Sequence, residues 1–463
     1  MTEMALQTAR HLLVRLGHRS WLNARLAQAR SLAAIPAPPL PSCLNMHART
    51  LSSAKDIGQR ENMEMSQPHP KLPTITVASV SPNPSTAMLH VYWGEGGMDE
   101  FPYVWLRDNC QCSKCFHPTA FSRLMLVDTL QLSVSPTTLQ VTDGGDVEIQ
   151  WSDGHQSTYP ACWLQERSFK PTQQLQHEQV FRLKRSFWGS ELAENLPRAS
   201  FTELMEEDMA LLKFLQQLEI LGFTVVTEAP RKIGQLESLS KRVGYLDRTH
   251  YGETFIVESK PQPSNVAYTS DSINLHSDLT YNYQKPSIQL LHCIKQFPGK
   301  GGDNMLSDSL QAAQRFRSLH PDKFLTLANT MVEFWDKGKD NEKEFHIINR
   351  HPIISLDPTD DILTVNFHHM SRHSFFNVSV EKVIPWYDAM LTLYDFLLDS
   401  KNCLHYKLKE GEILVVDNMR VLHGRIGYKT IQGERLLEGG YWDWTNVSSM
   451  RRILDAKLGV TYD

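Results

Sequence analysis

The stretch Asn274-Leu275-His276-Ser277-Asp278-Leu279-Thr280 holds two residues able to ligate one metal ion. His276 and Asp278 stand two positions apart, and on a strand or at its exit such neighbours point to the same side. One imidazole nitrogen and one carboxylate oxygen can then meet a single ion, with a third ligand supplied from elsewhere. His423, in Val421-Leu422-His423-Gly424-Arg425, is the best placed, because it follows the apolar run Ile413-Leu414-Val415-Val416-Asp417, which reads as a buried strand. Two His and one carboxylate on one face of an iron leave the opposite face open, the geometry of non-haem Fe(II) oxygenase chemistry. In a chain with 19 His an HxD triplet is weak by itself, so the flanking sequence has to support it.

A second cluster lies far upstream. Cys110, Cys112 and Cys115 fall within six residues of a chain that has seven Cys. The odd number and tight spacing suggest a metal in a reducing compartment rather than a disulfide framework. Three thiolates on a short turn bind zinc tetrahedrally once a fourth ligand arrives. His155, on a turn between two strand-like runs, is the first choice, with His117 and Cys162 as competitors. Four protein ligands would leave no open position, so the site reads as structural.

The elements around these clusters suggest two domains. The 463 residues are 41% hydrophobic and 21% charged, enough for sizeable cores, and the net charge of −5 gives no reason to propose nucleic acid as partner. No apolar run reaches the length of a membrane span. Residues 1–85 read as a leader and a Pro-rich, polar linker. Arg10, Arg15, Arg19, Arg25, Arg30 and Arg49 with Glu3 the only acid before Asp56 give the pattern of a mitochondrial transit peptide, the alternatives being a disordered basic tail or an upstream extension with Met46 as a second start, which would leave the protein cytoplasmic. Residues 86–170 read as a small, mainly β domain, 171–200 as a linking segment and 201–463 as the large domain. Within the last, the spacing predicts helices over 203–221, 233–243, 312–319, 385–398 with Pro385 at its first position, and 447–458 capped by Asn446. Strands are expected over 223–226, 287–295 and 362–367, the last running into His368. Tyr251, Phe255 and Tyr268 could face one pocket and attract a cation, though aromatic residues in strands are more often core. Asn265 could hydrogen-bond a carboxylate or hold a turn. Arg435 could grip a carboxylate with two prongs, or sit in a surface ion pair.

Taken together, the segments WLRDNCQCSKC, NVAYT, HSD, QLLHCIK, DNMRVLHGR and LEGGYWDW are specific. From about Trp105 to its end the chain resembles the γ-butyrobetaine dioxygenase family, Fe(II)- and 2-oxoglutarate-dependent oxygenases related to taurine dioxygenase. The resemblance implies an α+β, mainly β architecture. Its catalytic domain would be a double-stranded β-helix (jelly-roll) with flanking helices, beside a small N-terminal zinc-binding domain. It implies iron on His276, Asp278 and His423, zinc on Cys110, Cys112, Cys115 and His155, and the distal carboxylate of 2-oxoglutarate on Arg435. Tyr251, Phe255, Tyr268 and Tyr441 match an aromatic cage for a trimethylammonium group, with Asn265 and His368 towards the substrate's carboxylate. The implied reaction is hydroxylation of γ-butyrobetaine to L-carnitine with O2, releasing succinate and CO2. Ascorbate is a candidate accessory reductant and a homodimer a candidate assembly. Two departures bear on the substrate: the family carries Trp at the Phe255 position and Asn at the His368 position. A protonated His368 would strengthen carboxylate binding. Trimethyllysine or another quaternary ammonium is therefore an alternative substrate, although the trimethyllysine branch usually lacks the complete Cys set. A catalytically inactive binding paralogue would not need the ligand triad and Arg435 kept together, and a zinc hydrolase is disfavoured because no HExxH occurs.

Overall fold

The computed structural model describes residues 75–258, 270–340, 343–428 and 435–460. The basic N-terminal segment, Asn265 and Tyr268 lie outside them. The chain divides into two compact units, one ending at Phe169 and one spanning Lys170–Tyr462.

The smaller unit has two three-stranded antiparallel sheets. One contains Val77–Asn83, Met88–Trp93 and Met98–Pro102; the other contains Pro136–Val141, Val147–Trp151 and Gln156–Tyr159. Strand alternation sends Leu89, Val91, Val147, Ile149 and Trp151 into one core. The first strand starts upstream of the expected boundary at 86. Its Pro82 reads as linker, yet the strand lies at the edge of its sheet, where a missing N–H is tolerated.

The larger unit is mainly β with flanking helices. A six-stranded sheet runs in the order Thr254–Glu258, Leu436–Trp442, Ile288–Lys295, Ile413–Asp417, Phe223–Thr227, Arg198–Ser200. A four-stranded sheet runs Ile273–His276, Val421–Arg425, Asn304–Asp308, Cys403–Tyr406. The run Ile413-Leu414-Val415-Val416 is apolar throughout because both its faces are buried. Leu414 and Val416 meet Leu306, Leu404 and Val421 of the four-stranded sheet. Ile413 and Val415 point the other way, against Leu211, Leu215 and Leu239 of two helices, Asp208–Leu221 and Gln235–Val243. Among the described residues no helix is long and apolar enough to cross a membrane.

Several element boundaries differ from the sequence expectation, each for a local reason. The helix expected over 203–221 is two helices, Phe201–Glu206 and Asp208–Leu221, separated by an extended Glu207. Asp208 opens the second, where its carboxylate accepts from Arg242 at 2.9 Å and favours the positive end of the helix dipole. Gly222, at φ +80°, ends it in the left-handed conformation glycine adopts freely. The stretch 171–200 contains a helix, Pro171–Phe181, with no buried residue. The 385–398 helix begins earlier, at Val380, so Pro385 lies inside it. Glu381, whose carbonyl loses its donor there, is exposed to water. The closing helix, Trp444–Leu458, is capped not by Asn446 but by Asp443, which accepts from Thr445 N at 2.7 Å.

Candidate metal centre and its pocket

The four-stranded sheet brings the two sequence-distant histidines together. His276, last residue of its strand, pairs directly with His423 across an antiparallel ladder, and their ring centroids are 4.3 Å apart. The strand ends there and the chain turns. Leu279, a buried non-glycine residue, takes φ +52°, a conformation held only where surroundings enforce it. Asn418 does much of the enforcing. Its Oδ1 accepts from Asp278 N at 2.7 Å, and its Nδ2 donates to the carbonyls of Asp278 and Pro286. The turn delivers Asp278 Oδ1 to 3.3 Å from His276 Nε2 and 3.5 Å from His423 Nε2. One ligand atom from each of the three residues lies within 4.8 Å of the others.

The donor set suits a metal ion. The Asn274 carbonyl lies 2.8 Å from His276 Nδ1, which fixes the proton there and turns the Nε2 lone pair inward. Burial works to raise the Asp278 carboxyl, but His423 and His276 beside it hold it well below the usual carboxylate range. Burial, then His276, lower His423 as well. The centre is thus a carboxylate held in its anionic form beside two imidazoles.

A cavity opens on this centre, and Arg425, Arg435, Tyr251, Phe255 and Tyr441 are among the residues that line it. Arg435 is 7% exposed, and its Nε has no hydrogen-bond acceptor among the described residues. It therefore is not the surface ion pair that spacing alone favoured. The ring centroids of Tyr251 and Phe255 are 5.9 Å apart, and those of Phe255 and Tyr441 are 5.6 Å apart. Phe255 reaches this place because its ladder partner is Gly439, where a Cβ would meet the Phe255 ring at 2.3 Å. His368 also lines the cavity, its ring 4.8 Å from that of His276. Burial, with His276 next to it, holds His368 well below the usual imidazole range.

Among the lining residues not singled out from the sequence, Arg425 and Gln289 carry polar groups near the centre. Arg425 stands two positions after His423 on the same strand, hence on the same face, and that alternation was a readable signal. Burial first, and Arg435 second, push it down to about 10. Gln289 interrupts the apolar strand Ile288–Lys295. It is 3% exposed and donates to Asp278 Oδ2. A buried amide in a core strand was the clue, because such a group is costly without a partner.

In the smaller unit, His155 Nε2 lies 3.3 Å from Cys110 Sγ and 3.5 Å from both Cys112 Sγ and Cys115 Sγ. His117 and Cys162 are not in this group. Around it, Arg107 Nη1 donates to Cys115 Sγ at 3.4 Å and Arg107 Nε to Asp153 Oδ2 at 2.7 Å. Asp153 Oδ1 in turn accepts from His155 N at 3.0 Å.

Comparison with known proteins follows the same division. Residues 179–441 match the model of the taurine catabolism dioxygenase TauD, TfdA family, and residues 81–165 match the γ-butyrobetaine hydroxylase-like N-terminal model. The chain is 35% identical to human γ-butyrobetaine dioxygenase, over 80% of this chain and 95% of that protein. It is 30% identical to the mitochondrial trimethyllysine dioxygenase of Rattus norvegicus, over 76% of this chain and 82% of that one. A solved taurine dioxygenase from Burkholderia xenovorans aligns with 53% of this chain and 87% of its own, at a TM-score of 0.37 and 14% identity.

Proposed function

Because the chain belongs to the TauD, TfdA family of dioxygenases, whose members depend on Fe(II) and 2-oxoglutarate, we propose that it hydroxylates γ-butyrobetaine to L-carnitine. The observation that carries the proposal is one pocket holding a three-donor metal cluster, a buried arginine pair and three aromatic faces. His276, Asp278 and His423 hold the iron. With 2-oxoglutarate and O2, the bound iron supplies the oxidant for an unactivated C–H bond, and succinate and CO2 are the by-products.

The chain's own residues bind, orient and exclude water. Arg435 takes the distal carboxylate of 2-oxoglutarate; buried and fixed, its guanidinium fork suits a planar anion. Tyr251, Phe255 and Tyr441 turn ring faces towards a trimethylammonium group, which cannot donate hydrogen bonds and is recognised by such faces. His368, which lines the same cavity, offers a ring nitrogen to the substrate's polar end. Leu279, buried and lining the same cavity, helps keep bulk water from the carbon to be oxidised. In the smaller unit, Cys110, Cys112, Cys115 and His155 hold a structural zinc. Burial pushes the Cys110 thiol up to about 11, and a central dication is what brings such thiols to thiolate.

The test is a substrate panel read by 2-oxoglutarate turnover. γ-Butyrobetaine is expected to couple best, ahead of trimethyllysine. Its neutral tert-butyl isostere should lose about thirtyfold in kcat/KM, because a desolvated cage contributes ~2 kcal/mol to a cation. Faster turnover of trimethyllysine would move the protein to the sister activity. Equal turnover of the isostere would mean that the pocket reads shape only.

A further inference from the structure

We propose that Tyr441 and Gln289 are positioning residues that hold Asp278 as a one-oxygen metal ligand. The inference rests on the assignment of His276, Asp278 and His423 as the iron ligands. It gives the Tyr441 hydroxyl a duty separate from that of its ring.

The two oxygens of Asp278 have different surroundings. Oδ1 faces both imidazoles, at 3.3 and 3.5 Å. Oδ2 accepts from the Tyr441 hydroxyl at 2.8 Å and from the Gln289 amide. Gln289 and Tyr441 are cross-strand partners in the six-stranded sheet, each 3% exposed. The ligand histidines belong to the other sheet. The donors therefore reach across the space between the sheets, onto one carboxylate oxygen. Gln289 Nε2 also lies 3.1 Å from His423 Nε2. That nitrogen faces the metal when the centre is filled, which leaves Asp278 Oδ2 as the amide's partner.

Coordination chemistry explains why this matters. A carboxylate with both oxygens free can swing to bidentate binding and occupy a second position on the ion. The proposed reaction needs three open positions, two for the keto acid and one for O2. Two neutral donors on Oδ2 engage its lone pairs and leave only Oδ1 to the metal. Outer partners of this kind typically change metal affinity by about 10- to 100-fold.

Tyr441→Phe separates the two duties, since it keeps the ring and removes the donor. The measurement is Mn(II) titration of the full-length, zinc-loaded protein, following the EPR signal of free Mn(II). A hard ion of this type prefers the His and carboxylate site to the cysteines. Tyr441→Phe and Gln289→Leu should each weaken Mn(II) about tenfold or more, and Asp278→Ala should abolish binding. The KM for γ-butyrobetaine should stay within about twofold in Tyr441→Phe and rise in Tyr441→Leu, which loses the ring too. If Asp278→Ala abolishes binding while Tyr441→Phe and Gln289→Leu bind as the natural protein does, the positioning role is overturned and the ligand assignment stands. Unchanged Mn(II) binding in Asp278→Ala would overturn both.

Discussion

Phe255 illustrates how one residue can bear on specificity without touching the metal. Its ring lies against the bare backbone of Gly439 and between Tyr251 and Tyr441. The family resembled by the sequence carries Trp here. Indole has the strongest quadrupole of the aromatic side chains and attracts a cation best. Gly439 leaves the backbone beneath this position uncovered, so a wider ring can lie over it. Phe255→Trp is therefore expected to lower the KM for γ-butyrobetaine by about two- to fivefold, a gain of ~0.5–1 kcal/mol. The KM for 2-oxoglutarate should be unmoved, because the proposed site of that molecule is Arg435. Steady-state kinetics with each substrate varied in turn would check this, and a change confined to 2-oxoglutarate would remove Phe255 from the cage.

At the scale of elements, the connection between the strand Ile273–His276 and Ile288–Lys295 is pinned by a half-buried lysine. Lys285 Nζ donates to Thr364 Oγ1 at 3.0 Å and Asn366 Oδ1 at 3.1 Å, tying this connection to the strand that leads to His368. Burial pushes Lys285 down to about 7, with Asp417 and Asp278 acting against it. Between that value and the ordinary lysine range the unfolded chain holds a proton that the folded chain has lost. Stability gained through Lys285 therefore rises as the pH climbs from about 7 towards 10, and is absent below 7. Urea unfolding from pH 6 to 9 should show this rise in the natural protein, and Lys285→Met should lack it. Parallel pH profiles would refute it. This tie was not legible in the sequence, because a lysine two residues before a strand reads as surface. The strands themselves were legible, since runs such as Ile413–Asp417 are buried on both faces. Helix ends were less so: the break at Glu207 and the cap at Asp443 depend on side chains that arrive from elsewhere. The triad was readable because His276 and Asp278 are close in sequence and His423 follows a strong strand signal. The two duties of Tyr441 were not, because its hydroxyl partner is set by the packing of two sheets.

For the whole molecule, the consequence of having two compact units is that each carries its own candidate metal-ligand group and its own core. The core of the smaller unit, including Leu89, Phe101, Ile149 and Trp151, is built from residues before Phe169. Its cysteine cluster ties the short Tyr103–Asp108 helix and the turn after it to the Trp151–His155 hairpin. Zinc-binding energy at such sites is folding energy, roughly 10 kcal/mol or more in small zinc domains. Cys112→Ser should forfeit several kcal/mol of it. In a unit of this size each kcal/mol moves the midpoint by about 4–8 °C, so calorimetry should show one transition falling by ~20 °C or more. The transition of the larger unit should stay in place, because the triad and the cores of the two facing sheets lie wholly after Lys170. Metal analysis should show one zinc lost per chain in the variant, with Mn(II) binding at the His276 site retained. A folded natural protein that contains no zinc would refute this assignment, whatever its activity.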